Sequence, residues 1–331
     1  MLESFGFDNA SYVANIICDE VDLKGYDSGK IRHGLILGSG LGGFAEDHLS
    51  ENAVRFSFSD LYKKLGLKIN DIDSVAGHTN ELIIAPLKDD ESGNLIIAQA
   101  GREHLYQGVD PRRAVFWIRV MQVLAVDTLF GSNAAGILTP DTLEVPSLML
   151  INSDQDLCDD SPLKGINDER FGPQFPHMGD LYTAKMRMLA KNVAKDEGVN
   201  LPEGMYIRMK GPNYERSEDV YNLRNMVDGI WKEGQKQVGE DRFFGLPVAV
   251  AGMSTSYEML VAAQGAQSVF FPAFKNGKVY FSACTNYSGA LGKNGFEVPS
   301  NHKEVQENAL KVQNDLSKVV KGMMMELNNE L

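Results

Sequence analysis

The sequence predicts an α/β fold, a β-sheet covered by helices on both faces. Short apolar runs typical of buried strands alternate with amphipathic helical segments from one end of the chain to the other. Hydrophobic residues make up 43% of the 331 residues, which is enough for a substantial core. Because no linker composition and no internal repeat interrupts the pattern, we expect a single domain over residues 1–331.

The first quarter of the chain predicts one helix and three strands. Residues 8–24 form the helix, since apolar side chains recur at helical spacing: Tyr12, Val13, Ile16, Ile17 and Val21. Residues 34–37 are a short buried strand that runs into a glycine-rich turn. Residues 81–85 and 94–98 are two further strands, joined by the turn-like segment 88–93.

The second quarter predicts a helix, two strands and a long loop. Pro111 opens the helix at its first turn, and its apolar face consists of Val115, Ile118, Val120, Met121 and Leu124. Residues 127–131 are a strand that enters the segment 132–136, and residues 146–151 are another buried strand. Residues 154–180 are polar and rich in proline and glycine. A loop of this length is usually functional or ordered by a partner.

The second half continues the alternation of strands and helices. Its predicted elements are a helix at 181–197, a strand at 204–210, a helix at 218–227, a strand at 248–250, a helix beginning at 257–263, strands at 268–273 and 278–285, and a C-terminal helix at 305–327.

The charge balance limits the partners of this chain. With 32 basic and 45 acidic residues the formal net charge is −13, which argues against binding to nucleic acid or to anionic membranes. A few local cations can still hold a small anion. The three widely spaced cysteines (Cys18, Cys158, Cys284) suggest no disulfide framework and no metal site. We see no signal peptide and no transmembrane segment, and expect a cytoplasmic protein.

The segment from Gly101 to Gly108 carries a concentrated set of polar side chains directly after an apolar strand. Arg102 offers a planar fork of donors that matches a phosphate or carboxylate. His104 and Tyr106 point to the same side as Arg102 if the chain stays extended. The segment therefore predicts a pocket for a small anionic or hydroxylated ligand. The alternative is a surface loop with an ion pair through Glu103.

The glycine-rich turn that follows the first strand has three interpretations. Gly38, Gly40 and Gly43 match the GxGxxG pattern of dinucleotide-binding folds, and Asp60 follows about 20 residues later. Residues 44–52 are too short and polar to supply much crossover helix, so this match is weak. The turn could instead cradle a phosphate on its backbone N–H groups, with the Ser39 hydroxyl as a further donor. The third interpretation is a tight turn without a ligand.

Four other residues are candidates for ligand binding, one beside the phosphate and three beside a heterocyclic ring. His78 lies in a glycine loop before a strand and is a candidate neighbour of the phosphate, although a lone loop histidine is usually just solvated. Tyr214 can stack on a flat ring and Glu215 can accept hydrogen bonds from ring N–H groups, unless this segment is a surface turn. Asn286, at a strand end, can donate and accept at once, as reading the edge of a keto-purine requires.

Together these segments resemble the trimeric purine nucleoside phosphorylases. The motifs that carry the resemblance, from about residue 10 to residue 325, are Leu37-Gly38-Ser39-Gly40-Leu41-Gly42, Gly77-His78, Gly101 to Gly108, Ser132-Asn133-Ala134-Ala135-Gly136, Gly211-Pro212-Asn213-Tyr214-Glu215, Gly252-Met253-Ser254-Thr255 and Thr285-Asn286. The resemblance implies a nucleoside phosphorylase-like fold with a mixed central sheet.

The resemblance also implies an activity, the phosphorolysis of purine nucleosides to free base and pentose 1-phosphate in purine salvage. The implied phosphate-binding residues are Ser39, His78, Arg102, His104, Ala134 and Ser254. The implied base-binding residues are Tyr214, Glu215 and Asn286, and the implied ribose-binding residues are Tyr106, Met253 and His302. Among all of these, Asn286, Glu215 and His104 are the implied catalytic residues. No metal and no organic cofactor is implied, since inorganic phosphate is the co-substrate.

A phenylalanine in the long loop, Phe171, resembles the residue that crosses into a neighbouring subunit's site, which implies a homotrimer. The combination of Asn286 with Glu215 favours inosine and guanosine over adenosine. Three alternatives remain: a methylthioadenosine phosphorylase-like enzyme, a dinucleotide-dependent oxidoreductase, and a catalytically silent sensor of phosphate or nucleoside.

The chain departs from the family pattern in three places. Tyr214 stands where the family usually has phenylalanine, so its hydroxyl needs a partner or water if buried. Residues 56–76 are longer than usual before the Gly-His pair. Residues 228–246, which include Trp231, look like an insertion with no assigned function.

Overall fold

A nine-stranded mixed sheet organises the chain in the computed structural model, which describes residues 4–38, 42–67, 79–238, 247–292, 294–296 and 301–330. The strands are β1 (Ile31–Leu37), β2 (Val54–Ser57), β3 (Glu81–Pro86), β4 (Leu95–Ala100), β5 (Thr128–Ile137), β6 (Ser147–Asp156), β7 (Glu203–Arg208), β8 (Ala249–Gly252) and β9 (Gly277–Tyr287), with a separate pair β10 (Leu291–Gly292) and β11 (Gly295–Phe296). The helices are α1 (Phe7–Leu23), α2 (Gly43–His48), α3 (Phe58–Lys64), α4 (Pro111–Ala114), α5 (Phe116–Val123), α6 (Ala184–Asp196), α7 (Ser217–Val238), α8 (Ser256–Ala266) and α9 (His302–Glu330).

The strand order shows that half of the sheet closes on itself. The order is β2-β3-β4-β1-β5-β8-β7-β6-β9, and β9 also pairs in parallel with β5. The five strands β5, β8, β7, β6 and β9 therefore form a closed ring, while β1 to β4 extend from it as an open sheet. A ring of this kind has no free edge among its members and holds its strand ends in fixed relation to one another.

Helices cover both faces of the sheet, as the sequence predicts. Adjacent residues of β1 point to opposite faces: Ile36 belongs to a core that also contains residues of α1, α5 and α8, and Leu35 belongs to a second core with residues of α6 and α9. This is the pattern expected when both faces of a strand are buried. The prediction of an α/β fold with a mixed sheet is confirmed.

Most predicted elements are present, several of them longer than predicted. Strand β5 continues through the segment 132–136, and α7 continues to Val238, so the first half of the suspected insertion at 228–246 is helix; residues 239–246 lie outside the described part. The long loop is also present, with one 3₁₀ turn at Glu169–Phe171.

The predicted strand at 268–273 is wrong. This apolar segment forms a turn, because the hydroxyl of Ser268 accepts the backbone N–H groups of Phe270 and Phe271 and donates to the carbonyl of Arg170. Val269 and Phe270 are exposed rather than buried. An apolar run that covers no core face has no reason to join the sheet.

A buried histidine ties the C-terminal helix to the sheet. His33 of β1 lies with Nδ1 2.6 Å from Thr128 Oγ1 and Nε2 2.8 Å from Asn328 Oδ1 of α9. The amide of Asn328 also donates to Asp90 Oδ2 at 2.8 Å. Burial of the His33 ring lowers its pKa below the ordinary value of 6.5, against the opposing effect of the hydrogen bond to Asn328.

Protonation of His33 should therefore make folding stability depend on pH. Because the folded pKa is depressed, the unfolded chain binds more protons below pH 6.5, and stability is fully present above that pH and lost as the pH falls toward the folded pKa. Denaturant unfolding at pH 7.5, 6.5 and 5.5 should show the stability advantage of wild type over His33→Gln shrinking by up to about 1.4 kcal/mol per pH unit below 6.5. A constant advantage across this range would contradict the assignment.

Candidate active site

A cavity of about 320 Å³ lies where the ends of β4, β5, β8 and β9 meet. Ten of the residues singled out in the sequence line it: Arg102, His104, Tyr106, Ala134, Tyr214, Glu215, Met253, Ser254, Asn286 and His302. They come from widely separated parts of the sequence, so the fold alone brings them together. This size and mixture of apolar wall with few polar groups is typical of a small-molecule site.

Arg102 forms the cationic end of the cavity and is held on several sides. It follows β4, is 2% exposed, and donates through Nη1 to Ser254 Oγ at 2.9 Å and through Nη2 to the carbonyl of Ser132 at 2.5 Å. Its Nε lies 3.5 Å from Glu258 Oε1. A guanidinium fixed in this way presents a constant orientation to an anion in the cavity.

Glu258 of α8 supplies the counter-charge behind Arg102. Both side chains are 1% exposed, and the Tyr280 hydroxyl donates to Glu258 Oε2 at 3.1 Å. Burial raises the pKa of Glu258 and the charge of Arg102 opposes that rise. Burial by itself lowers the pKa of Arg102, but the charge of Glu258 and the surrounding tyrosines outweigh it, so the net shift is upward. Arg102 therefore stays charged.

His104 and Tyr106 do not project from an extended chain, because residues Leu105–Gln107 form a 3₁₀ turn. Their rings instead stack at a centroid distance of 4.7 Å and an angle of 20°. The Gln107 side chain accepts the His104 backbone N–H at 2.7 Å and fixes the turn. The turn still brings both rings to the cavity wall, next to Arg102.

Glu103 anchors this segment rather than forming a surface ion pair. Arg113 Nε donates to Glu103 Oε2 at 2.9 Å, and the Tyr62 hydroxyl donates to the same oxygen at 3.0 Å. Glu103 is buried. The alternative in which the segment is a solvated surface loop is therefore wrong.

In contrast to the cationic Arg102, Glu215 and Asn286 contribute a buried carboxyl and an amide to the cavity. Burial raises the pKa of Glu215. The Thr285 hydroxyl donates to Asn286 Oδ1 at 3.0 Å, and Asn286 Nδ2 donates to the carbonyl of Tyr287 at 3.4 Å, which fixes the orientation of the amide. Tyr214 beside them is 41% exposed, so water can reach its hydroxyl and the burial cost expected for it does not arise.

Met253 and Tyr106 form one wall of the cavity over Gly211. A β-carbon at Gly211 would lie 2.5 Å from Met253 Sδ and 3.3 Å from Tyr106 Cδ1, so a larger residue would displace the Met253 side chain, and the φ of +64° also favours glycine. His302, the first residue of α9, completes the lining at the mouth.

The described part of the glycine-rich turn does not fit a dinucleotide site. Helix α2 has only 6 residues, and the strand after it, β2, pairs antiparallel with β3 instead of continuing a parallel crossover unit. Gly38 packs closely against β5, since a β-carbon there would lie 2.6 Å from the carbonyl oxygen of Ser132. Ser39 and His78 lie outside the described residues.

Phe171 is placed away from the cavity. Its ring is 7% exposed, packs 5.2 Å from the ring of Phe7, and lies under the guanidinium of Arg119 at 4.3 Å. These contacts lie within its own chain, and the predicted contact with a neighbouring subunit stays a prediction. The exposed aromatic of the same loop is Phe175, at 90% exposure.

Sequence reasoning missed Glu258 and Ser132, which orient Arg102 without lining the cavity. The sequence could have pointed to Glu258, because it is the single charged residue of the otherwise apolar or neutral helix α8. A carboxylate in such a helix needs a buried partner. No sequence feature could have pointed to Ser132, since it contributes a backbone carbonyl to the hydrogen bond with Arg102.

Comparison with known proteins agrees with this geometry. A family profile described as the phosphorylase superfamily matches residues 50–270. Purine nucleoside phosphorylase 1 of Geobacillus stearothermophilus is 31% identical over 291 residues, 88% of this chain and 89% of the relative. The purine nucleoside phosphorylase of Mus musculus is 34% identical over 241 residues, 71% of this chain and 72% of the relative.

Solved structures show the same fold. The purine nucleoside phosphorylase of Schistosoma mansoni in complex with adenosine superposes with a TM-score of 0.74 at 25% identity, covering 98% of both chains. A schistosoma purine nucleoside phosphorylase in complex with hypoxanthine superposes with a TM-score of 0.72 at 25% identity, covering 96% of this chain and 98% of the other.

Proposed function

The chain belongs to the phosphorylase superfamily and, within it, to the purine nucleoside phosphorylases, and we propose that it transfers the pentose of a purine nucleoside to inorganic phosphate. The observation that carries the proposal is that one cavity joins a held guanidinium and a serine hydroxyl at Arg102 and Ser254 to a carboxyl and an amide at Glu215 and Asn286. The first pair suits a phosphate, and the second suits the polar edge of a purine.

The proposed reaction is a displacement at the anomeric carbon. An oxygen of hydrogen phosphate forms a bond to that carbon, the glycosidic bond breaks, and its electron pair goes to the purine, which takes up one proton as the phosphate releases one on becoming an ester. Holding phosphate, sugar and base in one cavity supplies most of the rate enhancement through positioning. A donor directed at the purine stabilises the negative charge that develops on it, and we assign that role to the amide of Asn286.

The remaining assignments rest on the family resemblance, together with the cavity lining for all of them except Ser39 and His78. Ser39, His78, His104 and the backbone of Ala134 join the phosphate end. Tyr214 lines the base pocket, and Tyr106, Met253 and His302 cover the ribose. Inorganic phosphate is the co-substrate, and the proposed chemistry uses neither a metal nor an organic cofactor.

Glu215 favours nucleosides of 6-oxopurines. An ionised carboxylate can accept the N1–H of hypoxanthine or guanine, whereas N1 of adenine is itself an acceptor and offers it no proton. A buried polar group left unmatched costs enough to discriminate between such bases by large factors. We therefore propose inosine and guanosine as substrates, and the adenosine bound to the schistosome relative makes adenosine the informative competitor.

The first test compares base release from inosine, guanosine and adenosine in phosphate buffer. Wild type should prefer the first two, and Glu215→Gln should lower the inosine-to-adenosine ratio of kcat/KM by about 10²-fold, because a glutamine amide can accept the N1–H of a 6-oxopurine through its oxygen but can also donate to N1 of adenine through its N–H₂. Glu203→Gln is a matched control, since Glu203 pairs with Arg187 and does not line the cavity. Equal rates with adenosine in wild type would overturn the role of Glu215 and favour a methylthioadenosine phosphorylase-like specificity.

A homotrimer is the proposed active unit. The loop after β6 and the turn after α8 expose a set of apolar side chains, here called the apolar patch: Ile166, Phe175, Met178, Val269, Phe270 and Phe271. The two segments are joined, since Gln267 accepts the backbone N–H of His177 at 2.8 Å. A cluster of exposed apolar residues of this kind marks an association surface.

The second test separates the two phenylalanines of the loop. Phe175→Ala should leave the fold intact but lower turnover and weaken self-association, measured by sedimentation, because Phe175 projects from the apolar patch. Phe171→Ala should instead lower the free energy of unfolding by about 3–5 kcal/mol, as for a buried phenylalanine. Met188→Ala, an exposed apolar residue of α6, is the control. Wild-type turnover and association in Phe175→Ala would contradict the proposed role of the apolar patch in self-association.

We also propose that the enzyme works in the cytoplasm in purine salvage, since its products are a reusable base and an activated pentose. All three cysteines are unpaired. No described helix is long and apolar enough to cross a membrane.

A further inference from the structure

Three polar side chains form a chain of hydrogen bonds behind Ser254. Ser282 Oγ lies 2.9 Å from Asn133 Oδ1, Asn133 Nδ2 lies 2.9 Å from Thr255 Oγ1, and Thr255 Oγ1 lies 3.3 Å from Ser254 Oγ. All of them are buried. Ser282 and Thr255 do not line the cavity, whereas Asn133 and Ser254 do.

The chemistry of each group sets the direction of this chain. The Ser282 hydroxyl donates to the oxygen of the Asn133 amide, so the amide nitrogen faces Thr255 and donates to it. The amide nitrogen of Asn133 cannot accept a hydrogen bond from Thr255. The Thr255 hydroxyl therefore donates its proton to Ser254 Oγ. A hydroxyl carries one proton and two acceptor lone pairs.

Ser254 then receives two hydrogen bonds, one from Thr255 and one from Arg102 Nη1 at 2.9 Å. With both lone pairs occupied, its single proton is left for one of two acceptors, the Tyr206 hydroxyl beside it or an anion in the cavity. Since Ser254 borders the cavity, the proton is available to an anion bound beside Arg102. Orienting a hydroxyl before the ligand arrives removes the cost of orienting it afterwards.

The backbone at Thr255 is held in a rare conformation that fits this role. Its φ of 72° and ψ of −59° make a γ-turn of the uncommon hand, in which the Ser256 N–H donates to the Ser254 carbonyl at 2.9 Å. A β-branched residue at positive φ is strained and persists where its surroundings determine it. Here the Ser254 N–H also donates to the Tyr206 hydroxyl at 3.0 Å.

We propose that Thr255 is a positioning residue for phosphate: through Ser282 and Asn133 it makes the Ser254 hydroxyl a donor directed at the bound anion. This inference rests on the proposed function. It predicts an effect on phosphate that a purely structural threonine does not have, because the nucleoside end of the cavity does not depend on the relay.

The test measures KM for phosphate at saturating inosine and KM for inosine at saturating phosphate. Thr255→Val, which removes the hydroxyl, should raise KM for phosphate about 3- to 10-fold and leave KM for inosine nearly unchanged. Thr255→Ser, which retains the hydroxyl, should restore wild-type values. Thr128→Val, which removes a buried threonine hydroxyl of β5 that contacts His33, should change neither constant. An unchanged KM for phosphate in Thr255→Val, or an equal rise in both constants, would overturn the proposal.

A second variant covers the case in which Thr255→Val does not fold. Ser282→Ala removes the hydrogen bond that orients the Asn133 amide, so the amide can rotate by 180°. This variant should also raise KM for phosphate, as Thr255→Val does. The rise in unfolding temperature caused by inorganic phosphate alone, which reports binding without turnover, should shrink in both variants. Absence of phosphate-dependent base release from wild type would reject the proposed function, whereas active wild type with unaltered variants rejects only the relay.

Discussion

An almost fully buried guanidinium charge, that of Arg102, is the constraint on which this site depends. Arg102 is held by acceptors from three elements: Glu258 of α8, the carbonyl of Ser132 in β5, and Ser254 after β8. Removing a charge from water is costly unless its partners are well placed, so these elements must keep their relative positions. The closed ring of β5 to β9 provides that fixed frame, because β5 and β8 are both members of it.

The closed ring of strands also keeps two different binding groups in one cavity, a cation for an anion and polar groups for a purine base. The chain as a whole carries a formal charge of −13, yet the cavity has a buried cation at the Arg102 end. Glu258 and the tyrosines around it keep that cation charged and oriented, while Glu215 and Asn286 offer a carboxyl and an amide to the base. A local cation with a low-dielectric wall attracts an anion more effectively than net charge predicts.

The sequence predicted residues that line the cavity, but not the residues that hold those side chains in place. Arg102 was predictable because a polar residue shortly after an apolar strand falls at one edge of the sheet, and Glu215 and Asn286 because they belong to motifs that resemble those of the family. Ser132 was not, since its contribution is a backbone carbonyl, and Thr255 was not, since its hydroxyl acts through contacts with Asn133 and Ser254 that exist only in the folded chain. The surroundings of Phe171 were not predictable either, because its contacts with Phe7 and Arg119 are made only in the folded chain.

The most direct measurement follows the phosphate itself by ³¹P NMR while the enzyme acts on inosine. The central claim predicts that the signal of inorganic phosphate converts to a sugar phosphate ester in equal amount to the hypoxanthine released, and that Arg102→Gln slows this conversion by about 10²- to 10³-fold. Release of hypoxanthine with the inorganic phosphate signal unchanged, or conversion at the wild-type rate in Arg102→Gln, would contradict it.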